Sequence, residues 1–448
     1  MRYPIISRNN LIVFTISIFA IVSIPRFLLG ANRYIRQGAT GNNSGSDWNN
    51  AFIGFPNTMV RGDTYYIADG SYGSYNFNDP NSGAQYITIK KATVSDHGTD
   101  TGWVNAYGDG QALFKSLSIN SDYWIIDGNV RNSDWKSGYG FKVTGLNAGE
   151  KGIRIDANYV TIRYLEIEHR GRNYDTSDDG IYGFGATNVT IQNCYFHDFS
   201  RVPFLTRGWN TMLIEYSYIA RNSSSAAQHS EMWSDDGSDN ITFRYNIVED
   251  IEGTAVFAQL NNNNVIADNW QIYGNVFFWS SNYGTPPNNE GISGLIYVAW
   301  DSVQKITATN WKIYNNTIVR CPGLWSGFVF LSSETTALAY NNMWYDCVRT
   351  NHTNVQISHS WYYNTARDGD NSSVEIGMGD PFIDKAGNNF RLLLATVSGK
   401  NDLGVQYNKD MDGNLRGADG IWDRGAYEYN RDTVPVKPPA APSNLRIQ

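Results

Sequence analysis

One nine-residue phrase recurs along this chain, and a chain built of recurring short units folds as a stack of those units. It reads Asn-Val-Thr-Ile-Gln-Asn-Cys-Tyr-Phe at 188–196, Asn-Ile-Thr-Phe-Arg-Tyr-Asn-Ile-Val at 240–248, Asn-Trp-Gln-Ile-Tyr-Gly-Asn-Val-Phe at 269–277 and Asn-Trp-Lys-Ile-Tyr-Asn-Asn-Thr-Ile at 310–318. Weaker copies begin at Tyr159, Met212, Ala337 and Val355. Aligned on Asn246, the equivalent positions are Leu165, Cys194, Ser217, Asn246, Asn275, Asn316 and Asn342, at intervals of 29, 23, 29, 29, 41 and 26 residues. Such a period fits three short strands per coil, with loops of variable length. Within a copy, Ile241, Phe243 and Tyr245 fall on one side and Thr242 and Arg244 on the other, the two-residue period of a half-buried strand. Stacked rungs lie about 4.8 Å apart, so Asn246, Asn275, Asn316 and Asn342 become neighbours. They are expected to form a structural ladder of side-chain amides.

A repeat of this kind lets all 448 residues belong to one domain, because each coil packs only on its neighbours. The composition agrees: 42 Gly, 29 Tyr, 20 Phe and 14 Trp accompany the repeats, and long Ala/Leu/Glu/Lys helical stretches are missing. The solenoid is expected over 31–430. Residues 33–75 should cap its first coil, and the strings at 380–384, 388–392, 412–417 and 423–429 its last, since an open end would pair with another chain. Residues 1–30 read as a signal peptide or N-terminal anchor: Arg2 and Arg8 precede the apolar run Leu11 to Ile24, and the small residues Gly30 and Ala31 follow. That places the protein outside the cell or on its surface, with no membrane span expected in the mature chain. Residues 431–448 form a Pro-rich tail.

Charged residues make up 17% of the chain and the formal net charge is −8, which argues against nucleic acid as the partner. Cys194, Cys321 and Cys347 build no disulfide framework and read as small buried hydrophobes. There is no P-loop, zincin helix, Cys-x-x-Cys pair or nucleophile elbow.

The Asn-hydrophobic-Thr-hydrophobic repeats, the N-terminal strings at 45–52 and 61–72 and the ending Asp-Arg-Gly-Ala-Tyr-Glu-Tyr (423–429) resemble the bacterial secreted β-helix proteins of the pectate-lyase-like superfamily. The resemblance implies an all-β, right-handed parallel β-helix with N- and C-terminal caps. It also implies a polysaccharide partner lying along one lateral groove. It does not fix the reaction, because fold does not imply function.

Candidate chemistry concentrates in the central coils. Asp179 lies nine residues before Asn188 and Glu231 nine before Asn240, which puts the two carboxylates in one column, two coils apart, with the Arg207 strand between. β-Elimination from a uronic acid needs a base at C5, a cation for the carboxylate and an acid for the leaving oxygen. His229, Glu231, Arg207 and Asp179 are the expected catalytic group, with His229 the base and Arg207 the neutraliser. Trp233 and Trp209 are expected to stack on sugars, Arg201 and Arg170 to contact the glycan, and Asp235 and Asp236 to hold Ca²⁺ if the reaction uses it. A lyase acting on a uronic-acid glycan is the favoured reading. A glycoside hydrolase on the same fold and a non-catalytic surface β-helix stay open.

Overall fold

The computed structural model describes residues 30–433, apart from 173, 225–229, 254, 260–263, 281–293, 300–304, 324–325, 333 and 371. The segments proposed as export signal (1–29) and Pro-rich tail (from 434) lie outside the described residues. The chain winds as a parallel β-helix with three faces. The first face stacks twelve strands, from Asn32–Ile35 through Val160–Arg163, Thr187–Gln192, Asn210–Glu215, Asp239–Arg244 and Gln271–Tyr273 to Gln356–Ser358. The second face includes Phe141–Val143, Leu165–Glu168, Tyr195–Phe199, Tyr218–Asn222, Ile247–Ile251, Val276–Phe278 and Thr317–Val319. The third includes Lys151–Ile155, Asp179–Phe184, Phe204–Arg207, Trp233–Asp236 and Ala255–Gln259. Among the described residues the pairings on these three faces are all parallel, and the central coils stack in register without a shift. The early strand Ala112–Ile119 bends across two faces, pairing with Phe141–Val143 by one end and Ile153–Ile155 by the other.

Alternation explains each strand. Ile241 and Phe243 are fully buried, while Thr242 and Arg244 between them stay partly exposed. Tyr245 departs from the expected pattern. It sits at φ 55°, in the left-handed turn that leads from the first face to the second, and this swings its ring outward. There it joins Tyr218, Tyr273, Tyr314 and Tyr340 in a second apolar cluster outside the coil.

The column that follows this turn is the expected ladder. Asn246, Asn275, Asn316 and Asn342 are fully buried. The backbone N–H and side-chain Nδ2 of Asn246 both donate to Asn275 Oδ1 (2.9 and 3.2 Å), and the same pair of bonds repeats from Asn275 to Asn316 and from Asn316 to Asn342. Each Nδ2 also donates to the first-face carbonyl of the preceding coil, Ile214 O, Phe243 O or Ile272 O. Ser217 and Cys194 extend the column as expected, and all three cysteines are buried and free.

The ends differ from expectation. Phe52, Phe55 and Met59 do close the first coil, but Thr64–Ile67 and Gly70–Phe77 are already strands of the helix rather than part of a cap. At the other end, the antiparallel pair Phe382–Asp384 and Asn389–Leu392 leads into a segment that folds back along the flank. Tyr407 packs edge-on against Tyr273 and Tyr314, and the Ala426 N–H donates to Thr317 Oγ1. The outer tyrosine column supplies the apolar surface that draws this segment sideways. Among the described residues no helix is long and apolar enough to cross a membrane.

Candidate active site

Outward positions of the second face carry a dense cluster of charged side chains. Leu165, Ile167, Phe196 and Ile219 point into the core, so the residues that alternate with them point out. In register these are Lys142, Glu166, Tyr195 and Tyr218 in one column, and Glu168, His197, Ala220 and Glu249 in the next. Lys142 Nζ lies 2.7 Å from Glu166 Oε1 and 2.9 Å from Glu168 Oε2. His197 Nε2 lies 3.2 Å from Glu166 Oε1, and its Nδ1 is 2.6 Å from Asp198 Oδ2. Arg221 grips Asp198 with two bonds, Nε to Oδ1 (2.9 Å) and Nη2 to Oδ2 (2.7 Å), and donates from Nη1 to the Tyr195 hydroxyl.

These contacts fix the charge states. Burial opposes the ionised form of Glu166, but the bonds from His197 and Lys142 outweigh it and hold its carboxyl down at about 2. Asp198 is held low in the same way by His197 and Arg221. For His197, 6% exposed, burial favours the neutral ring, yet its bonds to Asp198 and Glu166 prevail and raise its pKa. Both ring N–H groups then donate to carboxylates, so the 3.1 Å approach of Arg221 Nη2 to Nδ1 joins two donors and is no hydrogen bond.

A pH prediction follows. The His197 contribution to stability is complete below its unfolded value of 6.5 and is lost as pH rises through the higher folded value. The Glu166 contribution is complete above 4.5 and is lost as pH falls towards about 2. Urea titrations of the wild type and His197→Gln should therefore differ most between about pH 5 and 6.5, with the gap closing on both sides. A gap that does not shrink as the pH is raised well above 6.5 means the imidazolium is not formed.

The cluster continues round the corner into the third face. His169 Nδ1 accepts the Arg170 N–H (2.9 Å) and Nε2 faces Glu150 O (3.1 Å), so this ring is neutral with its proton on Nε2; burial lowers its pKa accordingly. Arg170 Nη2 donates to Asp178 Oδ2 (2.8 Å). Asp179 is fully buried beside Lys151 Nζ (2.6 Å) and Arg201 Nη1 (3.4 Å), and its Oδ1 finds no hydrogen-bond partner. Burial raises its pKa despite both cations.

The structure thus brings Asp179, Arg201 and Arg170 together. Glu231, buried, falls in the Asp179 column with Val202 between them, since Ile181 pairs with Phe204 and Phe204 with Trp233. His229 lies outside the described residues. Other expected members lie elsewhere. Arg207 pairs with Phe184 of the next strand, five residues beyond Asp179 and so about 16 Å along the third face. Its side chain is 58% exposed and makes an ordinary surface ion pair with Asp236 (3.1 Å).

Trp233 and Trp209 are 0% and 1% exposed inside the coil, so neither ring offers a face to a sugar; Trp233 stacks among Phe204, Phe257 and Trp270. Asp235 points inward as well, at 1% exposure. It accepts bonds from Ser238 N (2.8 Å), Gln259 Nε2 (2.6 Å), Ser238 Oγ and Thr206 Oγ1. The pair Asp235–Asp236 is therefore not a calcium site: one carboxylate is enclosed and saturated and the other is bound to arginine. Asp235→Ala should cost about 2–4 kcal/mol in denaturant unfolding, because it strands four buried donors. Added calcium should stabilise wild type and variant no differently.

Among the described residues, only Glu166, Glu168 and His197 bring three ligand-type atoms within 4.8 Å of one another. They do not fit calcium as they stand. The ion needs six to eight oxygen ligands, whereas the Lys142 ammonium bridges the two carboxylates and His197 presents N–H groups.

Outside this molecule, residues 118–292 match the family model described as "Right handed beta helix region". The chain is a right-handed parallel β-helix. A solved structure of pectate lyase Pel9A superposes with a TM-score of 0.53 at 14% identity, covering 89% of this chain and 96% of that one. An alginate lyase from Paenibacillus sp. str. FPU-7 (TM-score 0.39, 16% identity, 71% of this chain and 92% of that) and an exopolygalacturonase from Thermotoga maritima (0.31, 12%, 71% and 84%) also match. No curated protein sequence matches the chain. At such identities the likeness establishes the fold of this β-helix and leaves its chemistry to the residues described above.

Lys142, Glu166, Glu168 and Arg221 are not among the residues expected at the site from the sequence. The signal was present for Glu166 and Glu168, which occupy the outward positions that follow the ladder column in Leu-Glu-Ile-Glu (165–168), and for His197 in Tyr-Phe-His-Asp (195–198).

Proposed function

We propose that this β-helix is an extracellular polysaccharide-active enzyme that binds an acidic glycan along the second face and the following corner and cleaves it by β-elimination. The observation that carries this reading is the buried charge network. Lys142, Lys151, Arg170, Arg201 and Arg221 interleave with Glu166, Glu168, Asp178, Asp179 and Asp198 around His197, on an outer wall that the fold itself does not require to be charged. Desolvating so many ionic groups is costly, and strongly shifted groups in one cluster mark functional sites.

In this reading Arg201 and Arg170, partly exposed at the mouth, meet carboxylates of neighbouring uronates along the corner, and Asp179 holds Arg201 and Lys151 in place. His197, whose two ring nitrogens both face carboxylates, delivers a proton to the departing glycosidic oxygen. His229, two residues before Glu231, takes the role of base at C5. The test is ultraviolet absorbance of unsaturated uronate, assayed on alginate, polygalacturonate and glycosaminoglycans. A rise on one of them supports the reading. Reducing sugar without absorbance indicates hydrolysis instead. No product from any acidic or neutral glycan overturns the enzyme reading in favour of a binding β-helix.

A further inference from the structure

A uronate next to the scissile bond must have its charge neutralised for the C5 proton to leave, and a divalent ion held by carboxylates is one way to do it. In this protein the carboxylates that would hold such an ion are already bridged. Lys142 stands one rung before Glu166 in register, so its side chain reaches along the outer wall and its Nζ contacts both Glu166 and Glu168. The remaining oxygens are taken as well. Gln111 Nε2 donates to Glu166 Oε2 (3.3 Å), and Thr144 Oγ1 to Glu168 Oε1 (2.5 Å). His197 approaches Glu166 Oε1 from the other side.

We propose that the Lys142 ammonium is the built-in cation of this site, taking the place of a divalent metal ion, so that the protein handles its acidic ligand without one. The charge count supports this. Glu166, Glu168 and Asp198 supply three negative charges, and Lys142, protonated His197 and Arg221 supply three positive ones. The cluster is balanced and offers an incoming ion no net attraction. An ammonium has three N–H donors, and two of the Lys142 donors serve the glutamates. The third is left for a ligand, and the side chain is 19% exposed. The glycan half of this inference rests on the function proposed above; the ion-binding half does not.

Removing the ammonium while keeping its apolar stem, as in Lys142→Met, leaves two facing carboxylates with one unit of uncompensated negative charge. Isothermal titration of calcium chloride into the full chain should show no stoichiometric binding to wild type. The folded Lys142→Met protein, checked by β-sheet circular dichroism, should bind one ion with a Kd on the order of 10⁻⁴–10⁻³ M. A further Glu166→Gln change should abolish that binding, and Lys142→Arg, which keeps the cation, should show none. If Lys142→Met does not fold, Lys142→Gln serves in its place.

One-to-one calcium binding by wild type that Glu166→Gln removes would overturn the proposal. So would a folded Lys142→Met protein that binds no ion. Where wild type turns over a glycan, chelator treatment should leave the rate unchanged; a loss restored by calcium also overturns it. Absence of any turnover would sink the enzyme reading alone and leave the calorimetry to decide the role of Lys142.

Discussion

Replacing Asn275 with alanine should destabilise the β-helix by about 3–5 kcal/mol, more than any single surface change, because the deletion breaks one rung out of a continuous chain of amides. Asn275 Oδ1 accepts both the backbone N–H and the side-chain Nδ2 of Asn246, and its own Nδ2 donates to Phe243 O and Asn316 Oδ1. Alanine leaves two donors and two acceptors short of a partner in a column where every member is fully buried, and water has no path to them. Stranding a buried polar group costs about 1–3 kcal/mol. Not all four losses are additive, since neighbours can relax towards one another. Asn275→Asp keeps the acceptor but removes the donor and adds a charge, and should be at least as harmful. Urea unfolding followed by far-ultraviolet circular dichroism measures both. A loss below about 1 kcal/mol for Asn275→Ala would mean that the turn, rather than the amide column, holds adjacent coils together.

That ladder was the most legible feature of the sequence, and the reason is geometric. A parallel coil returns each position to the same place on every turn, so one repeated polar residue type reports the register of the whole stack. The three-strand coil and the column from Leu165 to Asn342, with Cys194 in it, followed from it. The orientation of side chains on the third face did not. Trp233-Ser-Asp-Asp reads as a polar strand with one aromatic residue for a ligand to stack on. The structure turns Trp233 and Asp235 inward, because Thr206, Ser238 and Gln259 from neighbouring positions satisfy the carboxylate inside the coil. A polar residue can point inward from a strand when partners inside the coil satisfy it, and composition alone cannot reveal such partners.

The candidate site was half legible for a related reason. Counting back from Asn188 and Asn240 found Asp179 and Glu231, which do share a column. Counting forward from the ladder would have placed Glu166 beside Tyr195 and Glu168 beside His197, which is the register observed. The flank on which the segment after residue 380 lies was not readable in advance. It is set by Tyr273 and Tyr314, which alternate outward with buried Ile272 and Ile313 and meet Tyr407, together with Tyr245, which its positive φ swings out of the core to reach Lys409 O.

Glu166→Gln should lower kcat/KM on the acidic glycan by about 100-fold while leaving the fold intact, the effect expected when a residue that orients and charges a reacting group is lost. Glu166 meets Lys142, His197 and Gln111 at once, so it is the hub through which the two columns of the second face are coupled. Glutamine keeps its shape and one acceptor but removes the charge that holds His197 protonated. The pKa of His197, raised in part by this carboxylate, should fall towards its ordinary value. The proton it supplies would then be lost at lower pH, and the alkaline limb of the kcat/KM profile should move in the acid direction. A purely structural role for Glu166 would lower the rate or the melting temperature and leave that limb where it was. An acid shift of the limb, with the β-sheet circular dichroism unchanged, would identify His197 as the proton donor and Glu166 as the residue that tunes it. Equal activity in the variant and the wild type would move the chemistry away from the second face, to the corner where Asp179, Arg201 and Arg170 converge.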